Sequence, residues 1–212
     1  TRSVAMSRAA ASDHCRSPCP QRRAAHFRHL MTDTIFKSQR LIGRRWIPED
    51  FETLLAVYSD REAMRWVGDG EPITRDECQA WFQVTESNYA KRGYGMFTLV
   101  EREAGAVVGF AGLLHPGGQL EPELKYAFLR KHWGVGLATE SARQLLDYGA
   151  SVHGLSRIIA TVAPGNLVSQ RVLAKAGMTL AQERLNGDGT KTLVCEWRAG
   201  GTCGPLPARF ER

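Results

Sequence analysis

Residues 123–140 read ELKYAFLRKHWGVGLATE, a strand pattern that passes through two glycines into the start of a helix pattern. Residues 123–130 are predicted to form a strand. After Trp133 the apolar residues recur at spacings of three and four, which predicts a helix over residues 137–152. A short apolar run, RIIATVA at 157–163, follows as a second strand. Strand, helix and strand in this order predict a right-handed crossover between two parallel strands.

Two glycines, Gly134 and Gly136, lie between the predicted strand and the predicted helix. The first N–H groups of a helix lack partners and carry the positive end of its dipole. Glycine has no Cβ, so its backbone can approach an anion closely and adopt left-handed conformations. The pair therefore indicates an anion-binding turn, with an ordinary strand-to-helix turn as the alternative.

Three other nucleotide or acyl-transfer motifs do not match. A dinucleotide-binding fingerprint needs a third Gly or Ala where this chain has Thr139, and an acid about 20 residues later where it has Ser156. A phosphate-binding P-loop closes with Gly-Lys-Ser/Thr, whereas Gly136 is followed by Leu-Ala. The chain also contains no Gly-x-Ser-x-Gly elbow of a serine hydrolase.

The remaining elements follow from similar patterns. Pro48, followed by two acids, favours a helix start, and Thr74 with Glu77 forms a capping box before a largely buried helix over 75–91. Further strands are expected at 39–47, 95–101 and 106–114, a helix at 167–176, and a hairpin between 179–185 and 190–198.

A second motif follows the crossover, and together with the glycine turn it resembles a known family. The two motifs are Lys131-x-x-Gly134-x-Gly136-Leu137-Ala138-Thr139-Glu140 and Asn166-x-x-Ser169-x-x-Val172-Leu173-x-Lys175-x-Gly177-Met178. They resemble the GNAT superfamily of acyl-CoA-dependent N-acetyltransferases, and in particular the bacterial ribosomal-protein N-terminal acetyltransferases. The similarity spans residues 38–198.

The resemblance implies an α+β fold, a three-layer sandwich with a mixed, mostly antiparallel central sheet flanked by helices. The sheet would be splayed at its two central parallel strands, 123–130 and 157–163. Acetyl-CoA would lie in that gap as cosubstrate, with its pantetheine arm along the first strand and its pyrophosphate on the amides of the glycine turn. The implied cofactor-binding residues are Ala127, Phe128, Leu129, Lys131, His132, Trp133, Gly134, Val135, Gly136, Leu137, Ala138, Thr139 and Asn166.

The catalytic groups are expected on the same two strands and the helix after them. A backbone N–H near Phe128 or Leu129 would stabilise the developing oxyanion, unless an ordinary strand ladder uses it. Many relatives have a tyrosine as the acid for the leaving thiolate, but this chain has Leu173 there. The resemblance makes Ser169 the candidate acid, with a backbone hydrogen bond at the helix start as the alternative.

Several side chains are candidates for the acceptor side. Glu123 is the candidate general base, the alternative being a solvated carboxylate at a strand end, and His115 is a second candidate. Loops around the first two helices usually face the acceptor in this family. Trp66, Asp69 and Tyr94 are therefore candidates for the acceptor pocket, with weaker support than Glu123. The acids Asp69 and Glu71 would attract a cationic amine. Glu140, behind the glycine turn, is expected to be structural.

Composition bounds the rest of the chain. The 212 residues carry a formal charge of +6, but six arginines and one acid fall within residues 1–30, so the body is nearly neutral. We expect a disordered leader at 1–30, a single domain at 31–198 beginning near Met31, and a tail at 199–212. The leader fits an upstream addition, an early start codon or, less well, an organelle transit peptide.

Metal, nucleic-acid and membrane partners are not expected. Cys15, Cys19, His26 and His29 have zinc-like residue types, but their loop is short and no apolar residues surround it. Five scattered cysteines give no disulfide framework, and no stretch reaches the roughly 20 apolar residues of a membrane span. We expect a cytoplasmic monomer or homodimer.

The function expected from these residues is acetyl transfer from acetyl-CoA to a primary amine. The branch that the motifs resemble favours a peptide or protein N-terminus as acceptor. A small amine, such as an amino acid, a polyamine or an aminoglycoside, is the alternative within the same chemistry. A non-catalytic acyl-CoA-binding module is the alternative of a different class.

Overall fold

The computed structural model describes residues 34–67 and 70–200. The leader at 1–30, Asp69 and nearly all of the tail lie outside the described residues. The same holds for the cysteines and histidines of the zinc-like spacing. The expectations placed on these residues stay predictions.

A single sheet of eight strands forms the centre of the described structure. The strands are β1 Thr34–Lys37, β2 Leu41–Arg44, β3 Met96–Glu101, β4 Val107–Leu114, β5 Glu123–Phe128, β6 Arg157–Val162, β7 Thr179–Leu185 and β8 Lys191–Arg198. Their spatial order is β1-β2-β3-β4-β5-β6-β8-β7, and every neighbouring pair is antiparallel except β5 with β6. This arrangement confirms the mixed, mostly antiparallel sheet with two central parallel strands.

Helices cover both faces of the sheet. They are α1 Phe51–Tyr58, α2 Arg61–Met64, α3 Arg75–Arg92, α4 Leu137–His153 and α5 Leu167–Lys175, with short 3-10 turns at Pro48–Asp50, Pro116–Gly118 and Arg130–His132. Helix α4 joins β5 to β6, as the crossover requires. It begins at the glycine turn and ends at Gly154, which takes a left-handed conformation.

Two apolar cores lie on opposite faces of the sheet. Leu124 and Phe128 of β5 belong to the core that contains Leu145 of α4. Ala127, between them in sequence, packs against the other core, which contains Leu54 of α1. The alternation of side chains along a strand therefore gives β5 one face toward α4 and one toward α1 and α3.

Most predicted elements agree with the structure, and the exceptions have local causes. The capping box forms, since the Thr74 N–H donates to Glu77 at 2.7 Å and the Glu77 N–H donates to Thr74 at 3.3 Å. The strand predicted at 39–47 is wrong in extent, because Ser38 starts a turn by donating its N–H to the Leu41 carbonyl at 2.9 Å. This turn separates β1 from β2.

Helix α3 is also less buried than predicted. Cys78 and Thr85 are its buried residues, whereas Val84 is 57% exposed. Cys78, Trp81, Phe82 and Tyr89 share one face of α3 and pack against the cores, whereas Val84 lies off that face. Helix α2 was not predicted; its start is capped by Asp60, whose side chain accepts from the N–H groups of Glu62 and Ala63.

A buried ion pair fixes the chain that leads from β2 to α1. Arg44 donates to both oxygens of Asp50, at 2.6 and 2.7 Å, and each side chain is only 2% exposed. Thr98 of β3 donates to the same carboxylate at 2.7 Å. Removing one partner of such a pair typically costs about 3–5 kcal/mol, because the other charge stays buried without compensation.

Candidate active site

The two parallel strands separate shortly after they meet. Glu123 and Ile159 form their one registered pair among the described residues, and the Ile159 N–H donates to the Pro122 carbonyl at 2.9 Å. Beyond this point no backbone pairing between β5 and β6 is present in the described part of the chain. The sheet is therefore splayed at the two strands where the family resemblance implies it, and a gap opens between them.

Backbone groups of β5 point into this gap. The Leu129 N–H donates to the Val108 carbonyl at 3.0 Å, so residues 125, 127 and 129 direct their polar groups toward β4. By alternation Tyr126 and Phe128 direct theirs toward β6. The expectation that Leu129 supplies an oxyanion donor is therefore not met, because the ladder with β4 uses its N–H. Phe128 retains a gap-facing N–H.

Trp133 closes one end of the gap. Its indole Nε1 donates to the Phe128 carbonyl at 2.8 Å, and its side chain is 42% exposed. The Phe128 carbonyl is thus occupied, whereas its N–H is directed into the gap. This contact links the last residue of β5 to the glycine turn.

The glycine turn presents consecutive free amides. Gly134 and Gly136 have φ of 75° and 86°, a region that other residues adopt only with strain. Within the described part of the chain, the N–H groups of residues 134–139 donate to no other group. A Cβ added to Gly134 would meet no atom within 4 Å. The turn is therefore open, and its amides suit a phosphate.

Arg40 and Glu140 support the turn from behind. Arg40 Nη1 donates to the Val135 carbonyl at 2.7 Å, and Arg40 Nε donates to Glu140 at 2.7 Å. Ser38 Oγ also donates to Glu140 at 2.7 Å. Burial raises the pKa of Glu140, but these donors outweigh it and hold the pKa below its ordinary value. Glu140 thus has the structural role that the sequence indicated.

Ser169, on helix α5, forms a hydrogen-bonded pair with a tyrosine of strand β5. The Tyr126 hydroxyl lies 2.7 Å from Ser169 Oγ. Asn166 caps α5, since its Oδ1 accepts from the Ser169 N–H at 3.1 Å. Burial raises the pKa of Tyr126 to about 12, and the Ser169 hydrogen bond opposes this shift less strongly. Leu173, at the position of the family's tyrosine, is 2% exposed and belongs to the core.

Glu123 is buried and fully engaged. Its Oε1 accepts from the Thr161 N–H at 3.2 Å, from the Thr161 hydroxyl and from Lys125 Nζ at 2.5 Å, and its Oε2 accepts from Gln119 at 3.2 Å. Burial raises the pKa of Glu123, but Lys125 and Thr161 together hold the pKa below its ordinary value. It is neither a solvated strand-end carboxylate nor a group whose pKa suits proton uptake at neutral pH.

His115, Tyr94 and Trp66, the other candidates for the acceptor side, lie in different surroundings. Both ring nitrogens of His115 are engaged, Nδ1 with the Gln119 carbonyl at 2.9 Å and Nε2 with the Tyr94 hydroxyl at 2.8 Å. Tyr94 is 6% exposed and lies in the core. Trp66 lies against Gly165, where an added Cβ would come within 2.7 Å of its ring. Trp66 thus contacts the loop that precedes α5.

No group of three or more potential metal-ligating side chains occurs among the described residues. None of the described helices is long and apolar enough to cross a membrane.

Similarity to known proteins identifies the class of protein that carries this site. A family model described as "Acetyltransferase (GNAT) domain" matches residues 40–179. YoaA of Bacillus subtilis (strain 168), named an uncharacterized N-acetyltransferase, is 31% identical over 146 residues, which are 68% of this chain and 81% of YoaA. The splayed sheet, the glycine turn and these matches define an acyltransferase of the GNAT type. The chain belongs to the GNAT acetyltransferase family.

Two solved structures share the fold at low identity. The ribosomal L7/L12 α-N-protein acetyltransferase RimL, in complex with coenzyme A, has a TM-score of 0.67 at 16% identity, with 78% of this chain and 98% of that chain covered. The spermidine N-acetyltransferase from Vibrio cholerae, in complex with CoA and spermine, has a TM-score of 0.63 at 17% identity, with 76% and 96% covered. These two enzymes act on different acceptors with one fold.

Sequence reasoning missed three residues of the site: Tyr126 and Lys125 at the gap, and Arg40 behind the glycine turn. Tyr126 contacts the predicted residue Ser169, 43 positions away, and Arg40 contacts Glu140, 100 positions away. Lys125 contacts the predicted residue Glu123 on its own strand, and also Thr161, which is 36 positions away and was not predicted to belong to the site. The available signal was the side-chain alternation of β5, which places Lys125 on the same face as Glu123.

Proposed function

We propose that this protein transfers the acetyl group of acetyl-CoA to a primary amine, most directly the amino terminus of a peptide or protein. The observation that carries the proposal is the continuity of the splayed gap with the glycine turn through the Trp133–Phe128 hydrogen bond. An elongated ligand with a phosphate end and a linear arm matches such a site.

The residues around the gap fit acetyl-CoA. The amides of residues 134–139 would hold the pyrophosphate, since they are free and lie at a helix N-terminus. Lys131 would add a point charge to the same phosphates. The edge of β5 at Tyr126 and Phe128 offers the pantetheine arm a strand to pair with, and Asn166 lies across the gap from it.

Acetyl-CoA supplies an activated acetyl group as a thioester. The Phe128 N–H is directed into the gap and would donate to the carbonyl oxygen as negative charge develops on it. In the transfer, the carbon–nitrogen bond to the amine forms and the carbon–sulfur bond breaks. The sulfur leaves as a thiolate that needs a proton.

The Ser169–Tyr126 pair would supply that proton. Ser169 Oγ donates to the sulfur and takes its replacement from the Tyr126 hydroxyl, 2.7 Å away. The tyrosinate then regains a proton from solvent, which receives the proton that the amine loses. Because burial raises the pKa of Tyr126 to about 12, this hydroxyl is protonated at neutral pH. The pair does the work of the tyrosine that is absent at Leu173.

Glu123 has a positioning role in this proposal. Its carboxylate takes the place of a ladder carbonyl for the Thr161 N–H, and so holds β5 and β6 together where the backbone pairing stops. The expectation that it is the general base stays untested, but its contacts favour this other role. The amine would enter unprotonated and lose its proton to water, since His115 is engaged as well.

The acceptor class has two candidates. The branch that the motifs resemble, and the fold shared with RimL, support a peptide amino terminus. The fold shared with a spermidine acetyltransferase keeps a small amine as the second candidate.

Mass spectrometry of the acceptor tests the proposal. A short peptide incubated with the protein and acetyl-CoA should gain one acetyl group on its α-amine, and the same peptide with a blocked amino terminus should gain none. Acetylation of spermidine alone would favour the small-amine candidate. No acetylated amine, with CoA bound, would contradict acetyl transfer.

A further inference from the structure

Lys125 places a positive charge beside the opening of the gap. It lies on β5 between Glu123 and Ala127, and Ala127 packs against the core that contains α1. Its side chain therefore lies on the face of the sheet opposite α4 and α5. That face is opposite the one from which Ser169 and Tyr126 approach the gap.

The ammonium group is held but not saturated. Lys125 Nζ donates to Glu123 at 2.5 Å and to the Thr161 hydroxyl at 3.1 Å. An ammonium has three N–H groups, so one donor remains beyond these two contacts within the described residues. The Lys125 side chain is 39% exposed, whereas that of Glu123 is 3% exposed. The pair thus presents its positive end to the solvent side.

The neighbouring charges on this face are paired. Arg157, which is on the same face of β6 as Thr161, donates to Glu121 at 2.8 Å and to Glu196 at 2.9 Å. Glu196 also accepts from Arg198 at 3.0 Å. The carboxylates here are therefore engaged by arginines, and Glu123 is covered by Lys125.

We infer that Lys125 selects the acceptor, favouring amines that carry a carboxylate close to the reacting nitrogen and disfavouring polycationic amines. The inference rests on the proposed acetyl transfer. An incoming carboxylate can accept a charge-assisted hydrogen bond from the remaining N–H of Lys125. A polyamine meets the same ammonium as a like charge, and the buried Glu123 has no free oxygen to attract it.

Two kinds of acceptor present this chemistry. A peptide offers it when an acidic side chain follows its amino terminus, and a free amino acid offers it as the α-carboxylate. Matched acceptor pairs separate these sources. One pair is a peptide with Asp or Asn as second residue, and the other is alanine or alanine amide; spermidine is the polycationic probe.

The experiment measures kcat/KM for these five acceptors with wild-type protein. We expect the charged member of at least one pair to be preferred by about tenfold, the effect of one charge-assisted hydrogen bond at a partly exposed site. Spermidine should be the poorest acceptor. A charged-to-neutral ratio near one in both pairs, or spermidine as the best acceptor, would overturn the inference while acetyl transfer stands.

Variants then assign the preference to Lys125. Lys125→Gln should bring the charged-to-neutral ratio close to one, and Lys125→Arg should retain it. Lys91→Met, which removes an exposed lysine at the end of α3, should leave the ratio as in wild type. The ratio cancels any general loss of folding or turnover. A ratio unchanged in Lys125→Gln would refute the role of Lys125, and no turnover with any acceptor would refute acetyl transfer and the inference together.

Discussion

The hydroxyl of Tyr126, on a central strand, lies 2.7 Å from the Oγ of Ser169, on the helix across the gap. In the proposed transfer, this pair lies on the side of the gap where the leaving sulfur would need a proton. A neighbouring hydrogen bond, from the Ser169 N–H to the Asn166 side chain at 3.1 Å, fixes the serine at the helix start. In the proposed transfer, the serine and the tyrosine act together as the proton donor.

Ser169→Ala should lower kcat by about tenfold to a hundredfold, since it removes the donor to the thiolate. The affinity for CoA, measured by calorimetry, should change by less than about twofold, because a catalytic proton is not needed for binding. Tyr126→Phe should lower kcat in the same direction. Ser151→Ala on α4 is the matched control and should behave as wild type. Equal losses in kcat and CoA affinity for Ser169→Ala would make the serine a binding residue.

Gly134→Asp should abolish measurable CoA binding. The substitution places a carboxylate where the free amides would hold a phosphate, and it strains a residue whose φ is 75°. Gly154→Asp is the control, because Gly154 is also left-handed, at 63°, and an added Cβ there is equally free of contacts. The Gly154→Asp variant therefore has the same backbone strain as Gly134→Asp, but its carboxylate lies away from the proposed phosphate site. Similar losses of CoA affinity in both variants would mean that strain, and not the anion site, is responsible.

Arg40→Ala should weaken CoA binding several-fold and change kcat little. Arg40 holds the carbonyl of Val135 and the carboxylate of Glu140, so the turn loses its support while the gap is untouched. Arg102→Ala is a matched control, since Arg102 donates to the carbonyls of Ser38 and Gln39 in the same β1–β2 turn without reaching the glycines. Calorimetric titration with CoA distinguishes the two. Identical affinities for both variants would contradict a supporting role for Arg40.

Glu123 should contribute stability that depends on pH in the acid range. Its pKa is lower in the folded protein than its ordinary value, so its stabilisation is complete above about pH 4.3 and is lost as the pH falls through the folded pKa. Glu123→Gln should reduce the free energy of unfolding at neutral pH by about 1–3 kcal/mol, because buried hydrogen bonds to a charge are lost.

Denaturant unfolding over a pH series measures this contribution. The difference between wild type and Glu123→Gln should shrink as the pH falls below the ordinary pKa of a glutamate. Glu86→Gln, at an exposed position of α3, serves as the control and should show no such change. A difference that grows toward acid pH would show that the carboxylate is more easily protonated in the folded protein.

The elements near the glycine turn were predictable because their signals are local. The helix predicted over 137–152 is observed at Leu137–His153, and the turn before it has the left-handed glycines that the sequence indicated. The capping box joins Thr74 to Glu77, three residues later, and was equally predictable from the sequence. The parallel crossover followed from the order of these elements alone.

The contacts that complete the site were not predictable, because they join residues far apart in sequence. Glu123 reaches Thr161 across 38 positions, and Arg40 reaches Glu140 across 100. Sequence pattern placed Glu123 at a strand end but gave no information on its burial or partners, and so it left base and solvated carboxylate as equal alternatives. Likewise, the Leu129 N–H was a candidate until the register with β4 showed it engaged.

The release of free thiol from acetyl-CoA in the presence of an amine tests the central claim most directly. With CoA binding confirmed by calorimetry on the same preparation, we expect thiol release that depends on a free amino terminus, falls in Ser169→Ala and disappears in Gly134→Asp. Tight CoA binding without amine-dependent thiol release, on peptides, amino acids and polyamines alike, would contradict the account.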